Sequence, residues 1–286
     1  MCRQSGKVKL RTMKTLNNHM ILFDAECPMC SVYTKAFVKT GMLDDGGRAA
    51  YQTMPQNTCP VYDRQRAINE IALINLKSGE VTYGIKSLFK ILGNAWPIFT
   101  PLFAFKPFIW LMSKIYAFIS YNRRVIIPPV HEATDFAYKP SFKLHYRIVY
   151  LLFTWFCTAF ILTRYANLLV GMVPPGNAYR EYLICGGQVL VQGVVIGIYA
   201  KDKIWTYLGN MMTISLAGSL LLLIPMVINH WLQFGSEVYA LYFMGVAGLM
   251  FLEHIRRTKL LNLGWTLTIT WVAYRIILLA LILNLN

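Results

Sequence analysis

Five long apolar runs in the second half of the chain limit its possible folds more than any other feature. They cover roughly residues 148–170, 182–199, 205–228, 238–255 and 264–283. An apolar run of about 18 or more residues with few charges is long enough to cross a bilayer as a helix. Composition agrees: the apolar set is 56% of the 286 residues and the charged set 14%. An ordinary soluble domain is about 45–50% apolar and about 25% charged. The 28 Lys and Arg against 13 Asp and Glu, a net of +15, would alone fit a nucleic-acid binder. The apolar excess argues against that reading, because it has no soluble destination. Membrane lipid is the expected partner and nucleic acid is not.

Charge divides the chain. Through Arg147 there are 20 Lys and Arg against 9 Asp and Glu, a net of +11; the remaining 139 residues hold 8 and 4, a net of +4. We therefore expect a basic arm over residues 1–17, a water-soluble domain over 18–125, a linker over 126–147 and an all-α polytopic membrane domain over 148–286. Met13-Lys14-Thr15 also reads as a true start, which would make the first twelve residues an extension. No secretory leader pattern opens the chain.

The loops between the runs carry charge in alternation. Lys139, Lys143 and Arg147 precede the first run, Lys201 and Lys203 follow the second, and Arg256, Arg257 and Lys259 follow the fourth. The loop after the first run has only Arg180, and the loop after the third and the C-terminal tail have no cation. By the positive-inside rule this places the N-terminal domain in the cytoplasm and the C-terminus outside, in a multi-pass protein of the cell (inner) membrane. Residues 96–120 are also apolar but contain Lys106, Lys114 and three prolines. They are expected to form a helix that packs on the soluble domain or lies at the membrane surface with its lysine heads in water.

Four residues inside the runs invite a functional reading. Arg275 is central to its run, and its possible partners are helix carbonyls, Glu253 or a bound anionic ligand. Cys157 and Cys185 are single cysteines, read either as small apolar residues or as a relay carrying electrons across the membrane. Arg164 lies near a run end, where its head can snorkel to water. His131, His145 and His254 are read as interfacial or solvated.

The soluble half carries the chemistry. Met20-Ile21-Leu22-Phe23 reads as a buried strand ending at Asp24, followed by Cys27-Pro28-Met29-Cys30 and a helical pattern to Lys39. Strands are expected at residues 48–53, 71–76 and 80–83, and helices at 62–69 and 85–92. The resulting order of strand, helix, strand, helix, strand, strand, helix is that of an α/β thioredoxin-like domain. A cysteine at a helix N-terminus meets free N–H groups and the positive end of the dipole, which favour its thiolate. Pro28 suits the first turn, where its missing N–H costs nothing. Cys30, one turn on, is close enough to resolve a mixed disulfide. The same pair could be half of a zinc site or simply structural. A structural zinc takes four ligands, and within the domain only Cys59 is a further cysteine, with His19, His131 and His145 scattered along this half. Asp24 either exchanges a proton near Cys30 or caps the helix start. Glu26, next to Cys27, is expected to raise the thiol's pKa.

Asp24-x-x-Cys27-x-x-Cys30 directly after an apolar strand resembles the DCC family of thiol–disulfide oxidoreductases. Gly79-Glu80-Val81, Tyr83-Gly84 and the segment from Tyr116 to Asn122-Arg123 resemble later stretches of that family. The resemblance spans roughly residues 18–125. It implies a thioredoxin-like fold, Cys27 as attacking thiol, Cys30 as resolving thiol, and no cofactor beyond the redox-active disulfide. Here Ala25-Glu26 follow Asp24, and Asn69-Glu70 precede the third strand where thioredoxins carry a proline.

The leading expectation is therefore a membrane-anchored thiol–disulfide oxidoreductase acting on a thiol or disulfide partner. In a reducing cytosol, reduction or exchange is favoured over oxidation. Two readings stand beside it: a subunit of a membrane complex that uses this domain for docking, and a small transporter or ligand-binding protein with Arg275 in its site.

Overall fold

A computed structural model describes residues 14–54, 62–129, 140–174 and 176–284. It divides into two compact units, Met1–Phe142 and Lys143–Asn286.

The first unit is built on strands β1 (His19–Phe23), β2 (Arg48–Ala50), β3 (Ala72–Asn75) and β4 (Val81–Tyr83), with helices α1 (Pro28–Lys39), α2 (Arg64–Asn69), α3 (Ile85–Ala95), α4 (Thr100–Ala104) and α5 (Lys106–Ile126). The sheet order is β2-β1-β3-β4. β1 pairs parallel with β2 and antiparallel with β3, and β3 pairs antiparallel with β4. Alternation along the strands fills two apolar layers. Ile21 and Leu73 pack with Met42, Leu43, Ile91 and Ala95. Leu22, Ala72 and Ile74 turn the other way, onto Tyr51, Ala67 and Ile68. Burying each such side chain stabilises by roughly 1.5–3 kcal/mol, so the central strands β1 and β3 hold the unit together.

Local chemistry sets the boundaries. Pro28 occupies the first turn of α1 with Cys27 as its N-cap residue, and Gly41 adopts φ +78° just after Thr40 closes the helix. Gly84 starts α3 at φ +63°, where an added Cβ would meet Glu70 Oε2 at 3.0 Å. β2 is shorter than expected because Tyr51–Thr53 leave the strand in a turn, with Thr53 N–H bonded to the Ala50 carbonyl. The apolar segment at 96–120 is not one helix. A short turn at Pro97–Phe99 leads into α4, and the axis then bends by 88° before α5. Pro107 lacks the N–H that would bond to Phe103, and its ring disfavours helical geometry at Lys106, so the helix restarts there. Phe103 and Phe108 stack on Phe89 of α3, at 4.4 and 5.6 Å between ring centres.

The second unit contains α6 (Leu144–Ala166), α7 (Arg180–Tyr199), α8 (Ile204–Ile228), α9 (Ser236–Leu260) and α10 (Thr266–Asn284). Among the described residues, five helices are long and apolar enough to cross a membrane, or six if the bent pair around Phe105 is one span. They coincide with the five apolar runs to within a few residues at each end. α8 is the core helix; its buried face mixes Met211, Met212 and Leu222 with Asn210, Thr213, Ser215 and Ser219. Trp231 and Trp265 lie exposed near helix ends, as interfacial indoles do. The first of the five helices begins at Leu144, four residues before the expected run. Cys59, His131 and the arm before Lys14 lie outside the described residues.

Candidate active site

β1 delivers the chain to Asp24, and the next three residues turn it into α1. Cys27 N–H bonds to the Asp24 carbonyl at 3.2 Å, and Glu26 N–H bonds to Asp24 Oδ1 at 3.2 Å. Asp24 thus braces the turn before the helix. The expectation that it caps α1 is corrected, since the N-cap residue is Cys27. A carboxylate exposing 2% of its surface needs partners to offset its lost hydration. Gln52 Nε2 donates to Oδ1 at 2.8 Å and Arg123 Nη2 donates to Oδ2 at 3.1 Å.

Arg123 is the residue that the sequence reading passed over. It comes from the last turns of α5, 99 positions from Asp24 in sequence. Its guanidinium also donates to the carbonyls of Ile68 (2.7 Å) and Asn69 (3.3 Å) and to Ser120 Oγ (3.1 Å). Arg124 pairs with Glu26 at 3.0 Å and lies 3.6 Å from Asp24. The only advance signal was the Asn122-Arg123 pair itself, which sequence spacing alone does not connect to Asp24.

The two cysteines sit together over this ion pair as free thiols. Cys27 is pulled down to about 7. The main cause is the Cys30 thiol donating to its sulfur; the Cys30 backbone N–H and the Arg123 charge add to this, while burial and Asp24 oppose it. Cys30 is pushed far above the ordinary thiol range, chiefly by holding that hydrogen bond and by burial. Tyr33 donates to Cys30 and is itself held protonated, mainly by burial. The Glu26 carboxylate, expected to raise Cys27, is engaged by Arg124 at 3.0 Å; the acidic group that opposes the lowering is Asp24. One thiol is thus poised to ionise near neutral pH while its neighbour keeps the proton.

Beneath Cys30 lies a cavity of about 220 Å³, bordered by Cys30, Tyr33 and Arg123 and walled by Met29, Ile115 and Ile119. No group of three or more His, Cys, Asp or Glu placed to hold a metal ion is present among the described residues.

The membrane-run residues separate. Cys185, buried on α7, makes a side-chain hydrogen bond with Arg275 of α10. Glu253 is not the partner of Arg275, because Arg256 and Arg257 both bind it at 2.7 Å. Cys157 is half-buried on α6 and, like Cys185, is a free thiol. Arg164 is exposed, 5.4 Å from the Phe160 ring.

His254 corrects the sequence reading: it is 1% exposed rather than solvated. Its Nε2 meets Tyr207 Oη at 3.2 Å and its Nδ1 meets Thr268 Oγ1 at 3.0 Å, with its ring stacked on Trp271. Tyr207 donates onward to Gln192 Oε1 at 2.6 Å, and Gln192 donates to Thr270 at 3.1 Å. This polar network ties α7, α8, α9 and α10 together.

Comparison with family models, curated proteins and solved structures finds no match for the chain.

Proposed function

We propose that the protein is a membrane-anchored thiol–disulfide oxidoreductase whose working group is the Cys27–Cys30 dithiol. The carrying observation is the division of roles within the pair: Cys27 lowered to about 7 and Cys30 raised. Cys27 thiolate attacks one sulfur of a partner disulfide, forming a mixed disulfide and releasing the partner's other sulfur as a thiolate. That thiolate takes up the proton lost by Cys30. Cys30 thiolate then attacks the Cys27 sulfur, closing the Cys27–Cys30 disulfide and releasing the partner's second sulfur as a thiolate, which takes its proton from water. Two electrons pass to the partner, and no cofactor is consumed. Arg123 stabilises negative charge on either sulfur, and the Asp24 carboxylate holds Arg123 in place.

The fold reading is a thioredoxin-like domain of the DCC type. Its support is a four-stranded order of β2-β1-β3-β4 with β3 alone reversed, and a dithiol at the junction of β1 and α1. Further support comes from both ends of the resemblance meeting in one site, Asp24-x-x-Cys27-x-x-Cys30 against Asn122-Arg123. The alternating loop charges support a cytoplasmic domain.

A second reading, a structural dithiol in a docking module, is favoured by burial: Cys27 and Cys30 expose 2% and 6% of their surface. Trapping separates the two. In membranes bearing Cys30→Ser, Cys27 should accumulate as a mixed disulfide visible on a non-reducing gel, and the adduct should vanish with Cys27→Ser. Absence of any adduct in Cys30→Ser, with the protein folded, favours the docking reading.

A further inference from the structure

We infer that the surface carried by Trp96–Ile119 is a docking face for an anionic bilayer surface. This inference concerns where the first unit rests and is independent of its dithiol chemistry.

The first observation is an inverted pattern of exposure. A helix on a water-soluble domain normally turns its apolar stripe inward. Here Ile98 is 83%, Phe105 58% and Trp110 64% exposed, and Phe99, Leu102 and Leu111 are exposed by more than two-fifths. Along α5, Pro107, Trp110, Leu111 and Lys114 form one outward stripe at helical spacing, whereas Ile115 and Ile119 turn toward the cavity at Cys30. Away from it, Phe108 stacks on Phe89, and Tyr116 and Ser120 meet the Ile71 N–H and the Asn69 carbonyl. The apolar stripe is thus in addition to a complete inner face. An apolar patch of this extent marks a binding surface.

The second observation is charge. From Val81 to His131 the sequence has no Asp or Glu and six Lys or Arg: Lys86, Lys90, Lys106, Lys114, Arg123 and Arg124. Arg123 and Arg124 are engaged by Asp24 and Glu26, Lys90 pairs with Glu80 at 3.2 Å, and Lys86 lines a groove with Glu70. Lys86, Lys106 and Lys114 are exposed. Lys114 lies 6.0 Å from the Trp110 ring, an arrangement of ammonium beside indole that suits the boundary between headgroups and chains.

The two observations select the occupant. An apolar face alone would fit a second copy of the chain equally well. A face that carries Lys106 and Lys114 and, within residues 96–119, no Asp or Glu repels its own copy and attracts anionic headgroups. The chain is also tethered to a membrane by the helices that begin at Leu144, so such a surface is always at hand. Phe99, Phe105 and Trp110 are exposed on both arms of the 88° break at Phe105, whereas a spanning pair would have to bury both lysines.

The test uses the full chain in sealed vesicles of phosphatidylcholine with and without phosphatidylglycerol. A photoreactive benzoylphenylalanine is placed at Phe99, Phe105 or Trp110, with Val32 of α1, exposed elsewhere on the unit, as control. The expected result is lipid adducts from the first three positions and none from Val32, with a several-fold higher yield when phosphatidylglycerol is present. Lys106→Gln with Lys114→Gln should remove that preference while leaving the fold intact. Lys106 and Lys114 should also react with a membrane-impermeant amine reagent applied on the domain's side. Dimer crosslinks, crosslinks within the chain, or no adduct would each overturn the inference. Lipid adducts with both lysines shielded would overturn it too, in favour of a sixth span. The same pattern is expected in Cys27→Ser, so the docking face and the dithiol stand or fall separately.

Discussion

Arg123 and Asp24 face each other with 5% and 1% of their side chains exposed. Removing one partner of such a pair leaves the other charge buried, at a cost on the order of 3–5 kcal/mol. Arg123→Met should therefore lower the thermal stability of the first unit sharply. Arg123→Met combined with Asp24→Asn should recover part of the loss, which a double-mutant cycle would measure. The thiol above them gives a pH prediction. Below about pH 7 Cys27 is mainly a thiol and above it mainly a thiolate, so its alkylation rate should rise with pH and reach half its maximum near 7. Cys30→Ala removes the largest cause of the lowering and should move the midpoint up toward the ordinary thiol value of about 8.5. Cys30→Ser keeps a donor and should move it less. That Cys27, Cys30 and Asp24 sit close together was legible in the sequence because they lie within seven residues of one another. Arg123 was not, because only the packing of α5 brings it beside them.

Elements built on a single local rule matched their sequence signals. The α1 start at Pro28 followed from proline at the first turn, and the buried β1 from a continuous apolar run, Met20-Ile21-Leu22-Phe23. The failures came where tertiary context decides. The break at Phe105 needed Pro107 to outweigh a long apolar stretch. His254 was placed at a membrane edge from its position near the end of a run, whereas α8 and α10 enclose it. In membranes, interhelical hydrogen bonds of this kind are worth roughly 0.5–2 kcal/mol. His254→Leu should lower the detergent melting temperature of the protein, and Tyr207→Phe should lower it too, with less than additive loss in the double variant, because both act through one network. Additive losses would show that the two side chains do not share it.

At the scale of the whole molecule, a dithiol unit and a five-helix unit are joined in one chain. The five helices long and apolar enough to cross a membrane were legible from hydropathy alone, since an apolar run of spanning length has few soluble alternatives. The proposed orientation yields a direct outcome: a reporter active only in the cytoplasm should work after residues 126–147 and after Lys203, and fail after Pro174 and at the C-terminus. The central claim is that Cys27 and Cys30 exchange two electrons. It is tested most directly by equilibrating purified membranes at set glutathione ratios and trapping free thiols with a mass-shifting alkylator. Cys27→Ser and Cys30→Ser serve as controls. The account predicts a reversible two-electron transition at one defined potential, absent in both variants. Thiols that stay reduced and unpaired at every ratio would contradict it and leave the pair a structural feature of a docking domain.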